Sequence, residues 1–368
     1  MANRPLKVMV MAGGTGGHVF PALSVAKQLQ SQGAFIKWLG TARGIESTLV
    51  PNAGIELHCL KIEGVRGKGI ATKLKAPFLL LGAVWHAMQI LRQENPDVVL
   101  GLGGFASGPG GLAARLLGKP LVIHEQNAVA GTTNRWLAKM ATRVMEAFPD
   151  SLPNAQLVGN PVRKEIANLP QPELRISAND EPLKLLVLGG SLGALALNEL
   201  LPQALATDGL AESVVVRHQT GKNHLEKTQA LYREQGIEID GQRVRVDAFV
   251  DDMAEAYGWA DVVICRAGAL TVAELTAAGS AALLVPYPYA IDDHQTKNAM
   301  WLVDNQAAEI KQQRDLTAEV MTTFITHAMQ DRSRLITMAN NARKLAMPDA
   351  ADKVAAVCQE VAGEMANV

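Results

Sequence analysis

Val8-Met-Val-Met-Ala-Gly-Gly-Thr-Gly-Gly-His-Val-Phe-Pro21 is the stretch whose reading decides the fold. Apolar residues run straight into glycines, which reads as a buried strand ending in a tight turn. Ala22 to Gln30 then carries Ala, Leu and Val at three- and four-residue spacing, so a helix is expected there with Pro21 in its first turn. Gly13, Gly14, Gly16 and Gly17 lack a Cβ, so the backbone can adopt positive φ and come close to a ligand. Free N–H groups at such a turn attract phosphate or a sugar hydroxyl. His18, at the tip, can accept a proton near neutral pH. Such turns also occur simply because their geometry needs glycine, so the loop gains functional weight only from repetition further along.

The chain has 368 residues, enough for two cores, and its 48% hydrophobic, 4% aromatic composition is that of Ala/Val/Leu-rich α/β enzymes. A net charge of −1 offers no global attraction to nucleic acid. Cys59, Cys265 and Cys358 are widely separated and form no C-x-x-C, which argues against structural disulfides and a zinc site. Residues 1–30 lack a signal peptide's order of parts, and no apolar run reaches a membrane span of roughly 18 residues. The expected compartment is the cytosol.

Phe35–Leu39 and Ile55–Ile62 read as further strands. The segment Ile70–Met88 holds Ala-Pro-Phe-Leu-Leu-Leu-Gly-Ala-Val-Trp behind Lys68, Lys73 and Lys75. As a helix it is either buried in a core or a surface patch that dips into an anionic membrane. Val98–Leu100 is a buried strand entering a second glycine loop, 101–111, and Leu121–His124 a strand ending in Glu125-Gln126-Asn127. Thr142–Glu146 and Gln156–Val158 close this half, and the Pro-rich, charged stretch from Gly159 to Pro182 reads as a linker. The pattern then restarts: Leu183–Leu188 runs into Gly189-Gly190-Ser191, and Asp261-Val-Val-Ile-Cys265 echoes Asp97-Val-Val-Leu-Gly101. The class is α/β, with two Rossmann-like, doubly wound domains. Ala350, Val354, Val357, Val361 and Met365 share one face of a terminal amphipathic helix.

No loop fits the phosphate-binding pattern G-x-x-x-x-G-K-[ST]. Gly101-Leu-Gly103-Gly-Phe-Ala106 satisfies a nominal dinucleotide fingerprint with Glu125 downstream, although Ser107-Gly-Pro109 makes a poor immediate helix. Gly268-Ala-Leu-Thr-Val-Ala-Glu274 reads as a turn and a helix whose first amides would cradle a diphosphate, with Glu274 placed to accept ribose hydroxyls. The alternative for Glu274 is an ordinary early-helix carboxylate favoured by the helix dipole. Asp292 to Asn298 supplies polar groups for a sugar, and the absence of Asp-x-Asp leaves a metal-dependent nucleotide-sugar site without obvious ligands. Cys265 beside Arg266 is an activated thiol or, more simply, a small buried residue at a strand end.

These residues together resemble the MurG family of bacterial GlcNAc transferases. The motifs are Gly-Gly-Thr-Gly-Gly-His-Val-Phe-Pro at 13–21, Gly-Gly-x-x-Ser-Gly-Pro at 103–109, His-Glu-Gln-Asn at 124–127, Gly-Asn-Pro-Val-Arg at 159–163, Gly-Gly-Ser at 189–191 and Ala-Leu-Thr-Val-x-Glu at 269–274. The resemblance implies a GT-B architecture, two domains facing across a cleft. Residues 1–163 would be acceptor- and membrane-facing, with a helix at about 345–368 packed back on them, and 164–344 would bind UDP-GlcNAc. It implies inverting transfer of GlcNAc to the 4-hydroxyl of undecaprenyl-linked MurNAc-pentapeptide, lipid I to lipid II. His18 is the candidate base, with Glu125 orienting it or sharing that role.

Carried over by motif, Thr15, Gly16, Gly17, Asn127 and Arg163 meet the donor, Ser191 bonds the diphosphate, and Val250 meets uracil through its backbone. Ala269, Leu270, Thr271, Val272, Ala273 and Glu274 bind phosphate and ribose, and Gln295 reads GlcNAc hydroxyls. No metal and no cofactor are implied. The implied partners are an anionic membrane surface and other cell-wall synthesis proteins, without nucleic acid, at the cytoplasmic face of the inner membrane. Phe105, Leu192, Ala267 and His294 depart from the family's usual Tyr, Gln, Ser and Gln, the first removing a hydroxyl from the acceptor side. The competing readings are a nicotinamide oxidoreductase built on Gly101–Ala106 and a non-catalytic nucleotide-sugar binding module.

Overall fold

The computed structural model describes residues 4–61, 70–190, 193–207 and 209–366. The chain forms two compact units, Met1–Val162 with Pro348–Val368 and Arg163–Met347.

In the first unit β1 (Lys7–Ala12), α1 (Gly16–Ser31), β2 (Phe35–Thr41), α2 (Glu46–Asn52), β3 (Glu56–Leu60) and α3 (Ile70–Glu94) are followed by β4 (Val98–Gly103), α4 (Ser107–Leu116), β5 (Leu121–Glu125), α5 (Thr132–Ala138), β6 (Arg143–Glu146) and β7 (Gln156–Leu157). The strands form one parallel sheet in the order β3-β2-β1-β4-β5-β6-β7. Both faces are covered. Val8, Val10 and Ala12 of β1 enter one apolar core, while Met9 and Met11 enter the other. That alternation explains why β1 reads as a continuous apolar run. The strand order reverses between β1 and β4, so the two glycine loops leave the sheet side by side at the place where such sheets bind ligands.

Two helices begin earlier than the periodicity indicates. α1 starts at Gly16, which puts His18 in its first turn and Pro21 inside the helix. Pro21 removes the N–H that would bond Gly17, near the start where the loss of one bond is least disruptive. α4 starts directly at Ser107, whose Oγ donates to Gly103 O at 2.7 Å, so Ser107-Gly-Pro109 does open a helix. Pro109, as its third residue, needs no N–H donor in that first turn.

The second unit runs α6 (Lys164–Ala167), β8 (Leu183–Leu188), α7 (Leu195–Leu205), β9 (Val214–Gln219), α8 (Leu225–Glu234), β10 (Val244–Asp247), α9 (Met253–Trp259), β11 (Val262–Cys265), α10 (Ala269–Ala278), β12 (Ala281–Leu284), α11 (His294–Val303), β13 (Glu309–Ile310), α12 (Ala318–Gln330) and α13 (Arg332–Lys344). Its parallel sheet has the order β10-β9-β8-β11-β12-β13, again reversing beside the first strand of the unit. The stretch read as a linker is packed onto this unit. Arg175 donates to the carbonyls of Tyr257, Ala260, Ala278 and Gly279, and Ile166 and Pro172 are buried. The chain ends in α14 (Ala350–Ala366), which packs on α1 and adds Ala351, Val354, Ala355, Val357, Cys358 and Val361 to the first unit's core.

Candidate functional site

The first unit builds its site from two crossing glycine loops. Gly104 has φ +89°, and a Cβ there would lie 2.4 Å from Gly13 O, so the two loop backbones touch where only glycine fits. A Cβ on Gly103 would lie 2.9 Å from the His18 ring, which packs against that glycine. Beneath the first loop sits Glu46, a fully buried carboxylate that no motif in the sequence singles out. It accepts from Gly14 N at 2.9 Å, Thr41 N at 3.0 Å and Thr41 Oγ1 at 2.7 Å. A Cβ at Gly13, Gly40 or Gly44 would fall within 2.9 Å of its side chain, so three glycines serve to house one carboxylate.

At the end of β5, Glu125 is 1% exposed and both its oxygens are engaged by the loop that follows. Asn127 N and Nδ2 donate to Oε1, while Gly131 N and Asn134 Nδ2 donate to Oε2. His124 is buried with its pKa lowered by desolvation, its Nε2–H donating to Gly159 O and its Nδ1 accepting from Gln126. Thr15 is exposed, whereas Gly16, Gly17, His18 and Asn127 are half-buried. These contacts overturn the dinucleotide reading of Gly101–Ala106. Gly104 lies against the backbone of Gly13, Gly103 against the His18 ring and Gly101 against Ile123 and Met11, and Glu125, which would have to accept a ribose, is committed to its own turn.

In the second unit β11 delivers Gly268, an extended N-cap residue, to α10. The first amides of α10, those of Ala269, Leu270 and Thr271, have no acceptor within the helix. Glu274 lies one and a half turns further on, 6% exposed, and is held by side chains. Arg163 Nη2 donates to its Oε1 at 2.9 Å, and Tyr257 Oη to its Oε2 at 3.2 Å. Burial raises the Glu274 pKa, and Arg163 and Tyr257 oppose that rise. Tyr257, fully buried, is a second residue the sequence did not indicate.

Gln295 Oε1 accepts from Tyr287 N at 2.8 Å, and Arg266 fastens the same loop through Val285 O, Pro286 O and Gln313. Asp292 and Asp293 follow at φ 54° and 50°, a left-handed pair opening α11, where His294 Nδ1 meets Ile291 O at 2.7 Å. Val250 lines a cavity of about 260 Å³ with Phe249 and the charged pairs Arg217–Glu255 and Arg245–Asp247. Gln219, also unforeseen, clamps the glycine loop after β8 by bonding both Gly190 N and Gly190 O. Ser191 and Leu192, in that same loop, lie outside the described residues. Cys265 is fully buried with its thiol pushed up to about 12, an inert strand-end residue rather than an activated nucleophile.

Comparison with known proteins gives one consistent picture. Residues 8–146 match the glycosyltransferase family 28 N-terminal domain and residues 184–354 its C-terminal domain. A relative from Cellvibrio japonicus, named UDP-N-acetylglucosamine--N-acetylmuramyl-(pentapeptide) pyrophosphoryl-undecaprenol N-acetylglucosamine transferase, is 56% identical over 98% of this chain and 99% of its own. The enzyme of the same name from Burkholderia thailandensis is 52% identical over 99% and 98%. The crystal structure of Acinetobacter baumannii MurG superposes with a TM-score of 0.83 at 47% identity, covering 97% of this chain and 100% of that one. The calicheamicin glycosyltransferase CalG4, at 16% identity and a TM-score of 0.68, shares the fold.

Proposed function

The chain belongs to glycosyltransferase family 28, within its MurG family, and from that membership we infer that it transfers N-acetylglucosamine from UDP-N-acetylglucosamine to pyrophosphoryl-undecaprenol-linked N-acetylmuramyl-pentapeptide. The acceptor's 4-hydroxyl attacks the anomeric carbon from the face opposite UDP, forming the new glycosidic bond as the sugar–phosphate bond breaks. His18 takes the hydroxyl proton, a task suited to an imidazole that packs closely on Gly103. Glu125 acts by holding Asn127 and the loop to Asn134 in place. The first turn of α1, with Thr15, Gly16 and Gly17, presents amides to the substrates.

The observation that carries the donor assignment is Glu274 buried in α10 between Arg163 and Tyr257. The amides of Ala269, Leu270 and Thr271 stabilise charge on the departing diphosphate, with Arg163 adding a cation. Val272 and Ala273 shape the same turn. A carboxylate has about four lone-pair sites, so Glu274 still accepts ribose hydroxyls beside its two present partners. Val250 offers its backbone to uracil, and Gln295 reads the GlcNAc hydroxyls. Soaking pure protein separately with UDP-GlcNAc and NADH tests the class of ligand, with only the first expected to bind. Release of UDP on adding the lipid-linked acceptor, and only then, tests the reaction.

A lipid acceptor requires a visit to the bilayer, and no described helix is long and apolar enough to cross one. α3 supplies the docking face. Phe78, Leu79, Leu80, Leu81 and Trp85 are exposed, Phe78 by 77%, while Ala83, Val84, Ala87, Ile90 and Leu91 of the same helix enter the core. These exposed residues favour the surface patch over the buried-core reading of this helix. Lys68 and the side chains of Lys73 and Lys75 lie outside the described residues. Each basic residue near an anionic surface adds about 1 kcal/mol of attraction. Changing Phe78 and Trp85 together to Ser should abolish sedimentation with anionic vesicles and leave turnover of a short, water-soluble acceptor unchanged. Undiminished vesicle binding would move the docking surface elsewhere. The protein then works as a peripheral enzyme on the cytoplasmic face of the membrane, beside other cell-wall synthesis proteins.

A further inference from the structure

Far along the sheet from the glycine loops, the edge strand β3 carries Glu56 and His58, two residues apart and so on one face. The last residue of α3, Glu94, comes down onto them. His58 Nε2 lies 3.3 Å from Glu94 Oε1 and 3.5 Å from Glu56 Oε1. Neither contact is a hydrogen bond, and Nε2 is shut off from solvent with no hydrogen-bond partner. Lys37, opposite Glu56 in the β2–β3 register, takes the outer oxygens instead. Its ammonium bonds Glu56 Oε2 and stands 3.7 Å from Glu94 Oε2.

The inner atoms, which pair as ions only when His58 is protonated, also form a donor set. One imidazole nitrogen and one oxygen of each carboxylate lie within 4.8 Å of one another. In a tetrahedral zinc site with bonds of about 2.0–2.1 Å, neighbouring donor atoms stand about 3.3 Å apart, which is the spacing His58 makes to both glutamates. The charges also suit a dication, because Lys37 offsets only one of the two carboxylates. We propose that Glu56, His58 and Glu94 form a binding site for a divalent transition metal of the zinc class, clamping the end of α3 to the sheet edge. The bound ion leaves a fourth position to water, and Lys37 remains hydrogen-bonded to the outer oxygens. The site takes no part in glycosyl transfer.

The test uses the full chain, stripped by chelator dialysis, with zinc chloride as titrant in calorimetry and cobalt(II) as a spectroscopic probe. Wild type should bind one zinc with a dissociation constant at or below about 10 μM, a hundredfold or more tighter than a chance surface contact of about 1 mM. Cobalt should give the visible absorption of a tetrahedral N/O site, and zinc should raise the melting midpoint by several degrees. His58→Gln should weaken zinc at least about tenfold, whereas Cys59→Ser should not change it. Lys37→Met should tighten binding severalfold, by removing the cation that competes for the carboxylates. Zinc affinity no better than about 1 mM, unchanged affinity in His58→Gln, or loss of binding in Lys37→Met would each overturn the proposal.

Discussion

Glu46 and Glu125 in the first unit and Glu274 in the second are all buried carboxylates beside a strand-to-helix turn, yet their partners differ in kind. Glu46 and Glu125 accept from backbone amides, Glu46 from Gly14 of the neighbouring loop and from Thr41, and Glu125 from Asn127 and Gly131 of the loop that follows it. Glu274 accepts only from the side chains of Arg163 and Tyr257, and burial still raises its pKa. Backbone partners cannot leave without refolding the loop, whereas side-chain partners can turn aside or share the carboxylate with a ligand. The first kind of carboxylate builds a platform, and the second has partners that suit the binding role proposed for it.

The sharpest split concerns chemistry against binding. His18→Ala should lower kcat by about a thousandfold, the scale of general-base catalysis and about 4 kcal/mol of barrier. UDP affinity should stay unchanged in calorimetry, because the groups proposed for uracil, ribose and diphosphate are Val250, Glu274, Arg163 and the amides of α10. A fall in UDP affinity with normal kcat would reverse the assignment of the two units. Next in size, Glu46→Ala should cost about 3 kcal/mol of stability in denaturant unfolding, since three donors lose their acceptor in a solvent-free site. Glu274→Ala should cost at most about 1 kcal/mol by the same measure, because it removes a charge that burial already disfavours. Equal losses would erase the distinction between platform and binding group.

A smaller effect follows from His218, whose pKa burial lowers to about 3, between Tyr232 and Asn198. The folded state keeps it neutral, while the unfolded chain binds its proton near pH 6.5. Its contribution to stability is therefore complete above about pH 6.5 and is lost as pH falls from there towards about 3. His218→Gln should remove about 2 kcal/mol of the stability difference between pH 7 and pH 5. An identical pH slope in the variant would refute it. The smallest effect concerns metal. Turnover in excess EDTA should stay within about threefold, below about 1 kcal/mol, under the proposal that amides of α10 and Arg163 carry the diphosphate charge. Complete loss restored by manganese would bring Asp292 or Asp293 into the site as ligands.

Local features were legible in the sequence and distant ones were not. The two strand–glycine–helix restarts follow from apolar runs and Gly residues that act on their immediate neighbours, so the first sheet, β8 and β11 of the second and α10 could be read directly, whereas β9, β10, β12 and β13 were not. Glu46 could not, because its meaning depends on Gly13, Gly40 and Gly44 leaving room for it and on amides of Gly14 and Thr41. The start of α1 is hidden by the glycines, which carry no helical periodicity although the helix begins at Gly16, with Thr15 at its N-cap position and no side-chain cap bond. The stretch around Arg175 reads as a linker by its prolines, yet one guanidinium bonding four carbonyls ties it down. His58 and Glu94 are 36 residues apart in sequence and meet only through the return of α3 to the sheet edge.

The distinction between the two kinds of carboxylate is tested most directly by titrating UDP into wild type, Glu274→Ala and Glu125→Ala by calorimetry, with circular dichroism to confirm that each is folded. Glu274→Ala should bind UDP about thirtyfold more weakly, about 2 kcal/mol for a lost charged hydrogen-bond acceptor. Glu125→Ala should bind UDP as wild type does. Unchanged affinity in folded Glu274→Ala would contradict the assignment of Glu274 as the group that holds the donor.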